Sequence, residues 1–441
     1  MAINIKKYFE AAKNAGLEPY QLTFESNSET TVSAFNDEIE SQQVGIAQDV
    51  GAKAIYDGKV GTFKTDVLDN KTAQIIADSV LESAKFGREG NAVDFYHGGG
   101  RYRKAKTALK DFTPASLKDL RELSLRLAAK AKAMDPRVTK VEISLTCQET
   151  KSFKVSTVGV KAKDTMKVLA GGVEIVAEND KKEPRSGYES FYSFHDIADL
   201  EKEGEKAITK AVKAAVDFFG SGAVEGKVYK AVLNPDVVAS LLGFFVSQLN
   251  AKSVQKHLSV FEGKMNTQIT SKCLTIRHTP HVTSPSSATY DADGVPSQDF
   301  VVLRKGILEN LFYSVETANV DKRESNGCAS GNGDGAPIVL TVAQGRSTRE
   351  DLFARMKKGL FITDVSGLNS GINEQTLDFS LPCQGYVVED GKIVSATSMI
   401  IMSGNLLKLF NSLVACGNDT DYSSGIFTPS ILVSELSISG K

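Results

Sequence analysis

Long apolar runs are missing from this 441-residue chain: no stretch approaches the ~20 residues that cross a bilayer, and the start lacks the continuous apolar core of a secretory leader. A membrane partner is therefore not expected, and a cytoplasmic location is. Excess charge is missing too. Lysines and arginines number 52 against 54 aspartates and glutamates, a formal net charge of -2. Such a chain has no global field to gather DNA or RNA, so nucleic acid is not an expected partner. Cysteines are few and scattered. Cys147, Cys273, Cys328, Cys383 and Cys416 form no close pair and are odd in number, which reads as reduced thiols and not as a disulfide scaffold. Common catalytic signatures are absent as well, with no G-x-S-x-G elbow and no H-E-x-x-H. Residues 222–227 (GAVEGK) miss a phosphate loop, because three residues separate the glycines where four are needed, and Val228 follows the lysine.

What remains is material for large cores. Apolar residues make up 41% of the chain and charged ones 24%, which at roughly 150 residues per domain suits two or three domains. The pattern predicts an α+β protein of three domains. Residues 1–110 make a β-rich N-terminal domain with helices: a helix over 5–16, then strands between turn signals at Asn36-Asp37 and Asp57-Gly58, then a helix over 71–86. Residues 87–106 read as a loop or linker. Residues 111–222 make a small α+β middle domain, with long helices over 114–134 and 195–219 around strands at 140–147, 152–156 and 166–177. Residues 223–441 make a large, mostly antiparallel β domain, with hairpins at Asp293-Gly294, Lys305-Gly306 and Asp390-Gly391 and helices near 348–358 and 405–413.

The third domain opens on the stretch that matters most. After a strand at 227–233, Pro235 and Asp236 suit the first turn of a helix. Val238, Leu241, Leu242, Phe245, Val246 and Leu249 then form one apolar stripe. The other side carries Ala239, Ser240, Gly243, Ser247 and Asn250, small or uncharged residues that let another backbone approach closely. Further on, residues 325–335 (SNGCASGNGDG) hold four glycines, which read first as an ordinary surface loop and otherwise as backbone that could lie along a bound peptide or cradle an anion. Cys273, His278 and His281 have spacing that zinc could accept, but strand alternation and Pro280 spoil their convergence, which leaves a strand edge with exposed histidines as the expectation. His97, His195 and His257 stand alone, and Cys416 has no neighbouring histidine to activate it.

Several segments together resemble the TldD/PmbA family: FEGKMNTQI at 261–269, ATYDADGVPSQDFVVLRKGILENLFYS at 288–314, KGLFITDVSGLNSGIN at 358–373 and GYVVEDGKIV at 385–394. The SGN and GND triplets at 403–405 and 417–419, and IYDGKVGTFKT at 55–65, extend the likeness over most of the chain. The resemblance implies a three-domain α+β architecture and a peptidase system, a metallopeptidase of proteolysis and peptide maturation that acts on unstructured peptides. An old label for the family is modulator of DNA gyrase.

The family has two kinds of subunit. The TldD kind carries HExxxH on the equivalent helix, plus a later cysteine, which implies a zinc site. Histidines five apart on a straight helix point roughly 140° apart, so that version must be distorted. The PmbA (TldE) kind lacks the motif. Anchoring on SVFEGK at 259–264 places the slots at Leu242, Gly243 and Ser247, and the cysteine's place at 426–429 (IFTP). The resemblance therefore implies a TldE-like subunit with no catalytic residue and no metal or cofactor of its own, zinc being expected on a TldD-like partner. Its own activity is left open. Expected partners are that subunit in a heterodimer, or a second copy in a homodimer, and an unstructured peptide. By family position, Gly331, Gly333, Gly335 and Asn418 are candidate peptide contacts.

Overall fold

Short turns organise the first 219 residues. The structure, a computed structural model, describes residues 4–69, 71–87 and 94–441, so residues 88–93 of the expected linker lie outside it. After helix α1 (Ile5–Asn14), strands β1 (Tyr20–Phe35), β2 (Glu38–Tyr56) and β3 (Lys59–Thr65) are joined at Asn36-Asp37 and Asp57-Gly58. Asn36, Asp57 and Gly58 have the positive φ that tight hairpin turns require. Helices α2 (Thr72–Lys85) and α3 (Leu117–Met134) follow, the second opened by a capping box between Ser116 and Asp119. Then come β4 (Val138–Ser156), β5 (Lys161–Glu178), β6 (Pro184–Ser193) and α4 (Ile197–Val216).

All six strands form one antiparallel sheet in the order β3-β2-β1-β4-β5-β6. Helices α1 and α2 share one core with the Tyr20 end of β1, and α3 and α4 share another around Val32, Val141 and Leu169. The expected break between strands at 147 and 152 is not there. Strand β4 runs through, because its polar middle finds cross-strand partners: Gln148 Nε2 and Thr150 Oγ1 both donate to Asn27 Oδ1, at 2.9 and 3.0 Å. Strand β6, charged and proline-led, carries no period of its own in the sequence. It is an edge strand, where proline is tolerated.

The chain divides into two compact units, Met1–Phe219 with Thr283–Pro285, and Gly220–Val282 with Ser286–Lys441. The boundary expected near 110 falls inside the first, across which β1 and β4 pair. The one at 222 falls beside the junction.

The second unit begins with β7 (Lys227–Leu233) and helices α5 (Pro235–Ser247) and α6 (Ala251–Gln255). Strands β8 (Ile276–His278), β9 (Phe300–Arg304) and β10 (Ile307–Leu308), helix α7 (Val315–Val320) and strand β11 (Leu340–Val342) follow. Next are α8 (Arg349–Met356), β12 (Gly359–Val365), α9 (Leu368–Gly371), β13 (Asp378–Glu389) and β14 (Lys392–Asn405). Helix α10 (Leu406–Asn411) leads to β15 (Leu413–Cys416), β16 (Asp421–Ser423), β17 (Ile426–Thr428) and β18 (Ile431–Ser439).

Two sheets result, β10-β9-β8-β11-β17-β16 and β14-β13-β12-β7-β18-β15, antiparallel except for β11–β17 and β12–β7. Pairing of β14 with β18 closes the second sheet on itself. The whole is α+β, as the sequence pattern predicts. Helix α5 is buried in a core to which both sheets contribute, with Phe245 against the rings of Phe261 and Phe410 at 5.1 and 5.2 Å.

Candidate functional site

Helix α5 begins as its sequence dictates. The Asn234 side chain accepts from Val237 N at 2.9 Å, and Pro235 occupies the first turn. Asn234 Nδ2 also donates to Thr363 O at 2.9 Å, which ties the cap to β12. The apolar stripe from Val238 to Leu249 is buried throughout. On the other side Gly243 leaves open space, since a Cβ built there would meet no atom within 4 Å.

That space is a cleft of about 410 Å³. The helix supplies Gly243, Val246 and Ser247, and Asn250 stands just beyond its end. The facing wall is the loop from Ser330 to Ile338, and the third side is Ser424, Gly425 and Ile426 at the turn between β16 and β17. The loop is drawn close by Gly335, whose missing side chain would otherwise lie 2.0 Å from Phe312 O. Its N–H donates to Asn250 Oδ1 at 3.3 Å. His278 holds the wall from behind. Nδ1 lies 2.8 Å from Gln298 O, and Nε2 accepts from Ile338 N at 3.0 Å, which places the single proton on Nδ1. Burial lowers this imidazole to about 4.

The cleft carries little net charge. Asp334 is paired with Lys252 at 2.8 Å, and Lys252 reaches Glu316 at 4.0 Å. Burial pushes the thiols of Cys383 and Cys416 up to about 12 and that of Cys328 well up, and none of the three lines the cleft.

Of the positions marked in the sequence, Gly243, Ser247 and Gly335 meet in this cleft, and Ile426 joins them from far along the chain, at the place expected for a relative's cysteine. Leu242 points into the core and is 1% exposed. Gly331 and Gly333 belong to the same loop but do not line the cleft, and Asn418 lies elsewhere, its N–H donating to Ser347 O at 2.9 Å. The expectation of exposed histidines at a strand edge is corrected. His278 is fully buried, because β8 lies between β9 and β11 inside its sheet, and His281, beyond the strand's end, is 5% exposed. Asn250 from the small helix face and Asp334 from the glycine-rich loop line the cleft too, whereas Ile338 and Gly425, on separate segments, carried no signal in the sequence.

The residues at the positions the resemblance gives to metal ligands do not fit a divalent cation. Leu242 offers hydrocarbon, Gly243 no side chain, Ile426 hydrocarbon, and the Ser247 hydroxyl donates to Phe244 O at 2.8 Å.

The fold defines the class first. A Thermotoga maritima protein described as a candidate modulator of a DNA gyrase superposes over 99% of both chains with a TM-score of 0.90 and 27% identity. TldE of Thermococcus kodakarensis covers 99% of this chain and all of its own, with a TM-score of 0.85 at 16% identity, a likeness of fold. Residues 225–440 match the PmbA/TldA metallopeptidase C-terminal domain, and residues 110–215 its central domain. This chain belongs to the PmbA/TldD family. It is 28% identical over 252 residues to the metalloprotease PmbA homolog of Buchnera aphidicola, a stretch covering 57% of this chain and 55% of that protein. The chain thus spans about half the length of the curated relatives it matches first.

Proposed function

We propose that this chain is the TldE-like, non-catalytic subunit of a metallopeptidase system acting on unstructured peptides, in which zinc is supplied by a TldD-like partner. The observation that supports the reading is the lining of the α5 cleft, where Gly243, Ser247 and Ile426, at the positions the resemblance gives to metal ligands, bring no side chain suited to zinc. The cleft keeps the features that suit an extended peptide: a roomy neutral interior, a small-residue helix face and a glycine-rich wall. The test mixes the purified chain with a TldD-like subunit and an unfolded peptide. Cleavage should need both proteins and should stop on chelation of the partner's metal. Chelator-sensitive cleavage by this chain alone would refute the proposal. A second reading, a stand-alone homodimer that binds peptides or cleaves them without this zinc site, is favoured by an open strand edge in the first unit. Light scattering with and without the partner separates the two.

A further inference from the structure

Residues 95–110 (FYHGGGRYRKAKTALK) bring five fixed cations, Arg101, Arg103, Lys104, Lys106 and Lys110, and no carboxylate. The stretch is not a free tether. Phe95 is 3% exposed, with Lys53 Nζ 5.5 Å from its ring centre. At Gly98 a Cβ would lie 2.4 Å from Gly159 O, so the backbone passes directly against the turn between β4 and β5. Thr107 is buried; its carbonyl accepts from Lys167 N at 2.7 Å, and its Oγ1 donates to Thr165 O at 2.9 Å. From Gly98 to Thr107 the chain therefore runs parallel to the first half of β5, along the edge that β6 leaves. With both ends tied, the residues between form a fixed ledge.

All five cations are exposed, and Lys161 and Lys163 of β5, also exposed, stand beside them. Like charges gathered this closely repel one another, which costs the fold stability. The carboxylates nearby are engaged elsewhere. Asp94 turns to His97 at 3.3 Å and Asp111 to His195 at 2.9 Å. Glu149 is held by Lys151 and Lys167 at 2.7 and 3.4 Å, and Asp164 Oδ1 accepts from Thr165 N at 2.9 Å. Among the described residues no carboxylate pairs with Arg101, Lys104, Lys106 or Lys110.

We propose that this ledge docks an acidic, unfolded stretch of polypeptide. The inference rests on the subunit reading in taking an unfolded peptide as the ligand; the ledge adds the preference for acid. An extended peptide repeats its side chains on one side every ~7 Å, the spacing at which alternate cations of an extended run recur, as Arg101 and Arg103 or Lys104 and Lys106 do. Nucleic acid fits less well. Its bases seek exposed rings to stack on, and here Phe95 is buried and Tyr96 and Tyr102 are half-buried. Beyond the ledge acids prevail, since the whole chain carries a formal charge of -2 in spite of it, so a long polyanion laid across would meet repulsion.

Fluorescence anisotropy on the full chain tests this, with a labelled disordered peptide of glutamate, serine and glycine as the probe. The same peptide with glutamine for glutamate, and a single-stranded oligonucleotide of equal charge, are the comparisons. The acidic peptide should bind at least about tenfold more tightly than either, and should let go as salt rises from about 50 to about 300 mM. The combined variant Arg101→Gln, Lys104→Gln, Lys106→Gln should weaken it about tenfold. Lys110→Gln with Lys161→Gln is the second ledge variant. Lys181→Gln, Lys202→Gln, Lys392→Gln, which removes as much charge from exposed sites off the ledge, should leave binding near wild type. Melting temperatures of the ledge variants should equal or exceed that of the wild type, because repulsion is relieved. Equal binding of the glutamate and glutamine peptides overturns the proposal. So does undiminished binding by both ledge variants, an equal loss in the off-ledge variant, or an oligonucleotide that binds as tightly as the peptide. All of this is measured without a TldD-like partner, so a failure here leaves partnered cleavage standing, and a failure of partnered cleavage leaves the binding result standing.

Discussion

Gly243 occupies a helix interior and faces open space, so it shapes the cleft by what it lacks. Gly243→Ala should raise stability by about 0.5–1 kcal/mol through helix propensity, because the new methyl meets nothing. Thermal or urea unfolding checks this, and a loss of stability would show that the helix face is packed. His278 sets a pH response. The folded chain holds the imidazole neutral to about 4, against an ordinary value of 6.5, so between those values the unfolded chain binds the extra proton. Stability should therefore fall as pH drops below 6.5, by about 2 kcal/mol at pH 5 from this group, and the loss should level off below about 4. His278→Gln, which can still donate once and accept once, should show a shallower decline in melting temperature between pH 7 and 5. The same protonation removes the acceptor for Ile338 N, and with it a tie of the cleft wall.

Among the elements, α5 is the one whose placement was most open to reading. Its cap, its proline and its stripe all agree on one start and one buried face. Asn234→Ala should cost about 1 kcal/mol or somewhat more, since it deletes both the bond to Val237 N and the tie to Thr363 O. Chemical denaturation measures it, and an unchanged midpoint would mean that the cap is redundant. Strand β4 shows where pattern reading stops. Its middle, Gln148 to Lys151, is polar and looks like a loop, yet it stays extended because Asn27 on the neighbouring strand satisfies it. Strand β6 and the short helices α6, α7 and α9 escaped for a related reason, being too short or too polar to show a period of their own.

At the scale of the molecule, balanced charge bears on the gyrase description carried by a relative. Fluorescence anisotropy with duplex DNA at physiological salt should show no salt-dependent binding by this chain. A steep salt slope would restore nucleic acid as a partner. Among the described residues no helix is long and apolar enough to cross a membrane. The first unit carries two cores and the second one, and the cleft lies wholly within the second.

Turn residues, apolar periods and caps act over a few positions, so the sequence alone determined the hairpins of the first unit and the buried stripe of α5. Convergence acts over hundreds of positions and leaves no local trace. Only the folded chain decided that Gly335 and Ile426 would close on Gly243 and Ser247, that β8 would bury its histidine and the one that follows, and that β3 would end at Thr65 and leave half of β2 uncovered. In each case the deciding force is backbone pairing and exclusion of water between segments that are neighbours in space alone.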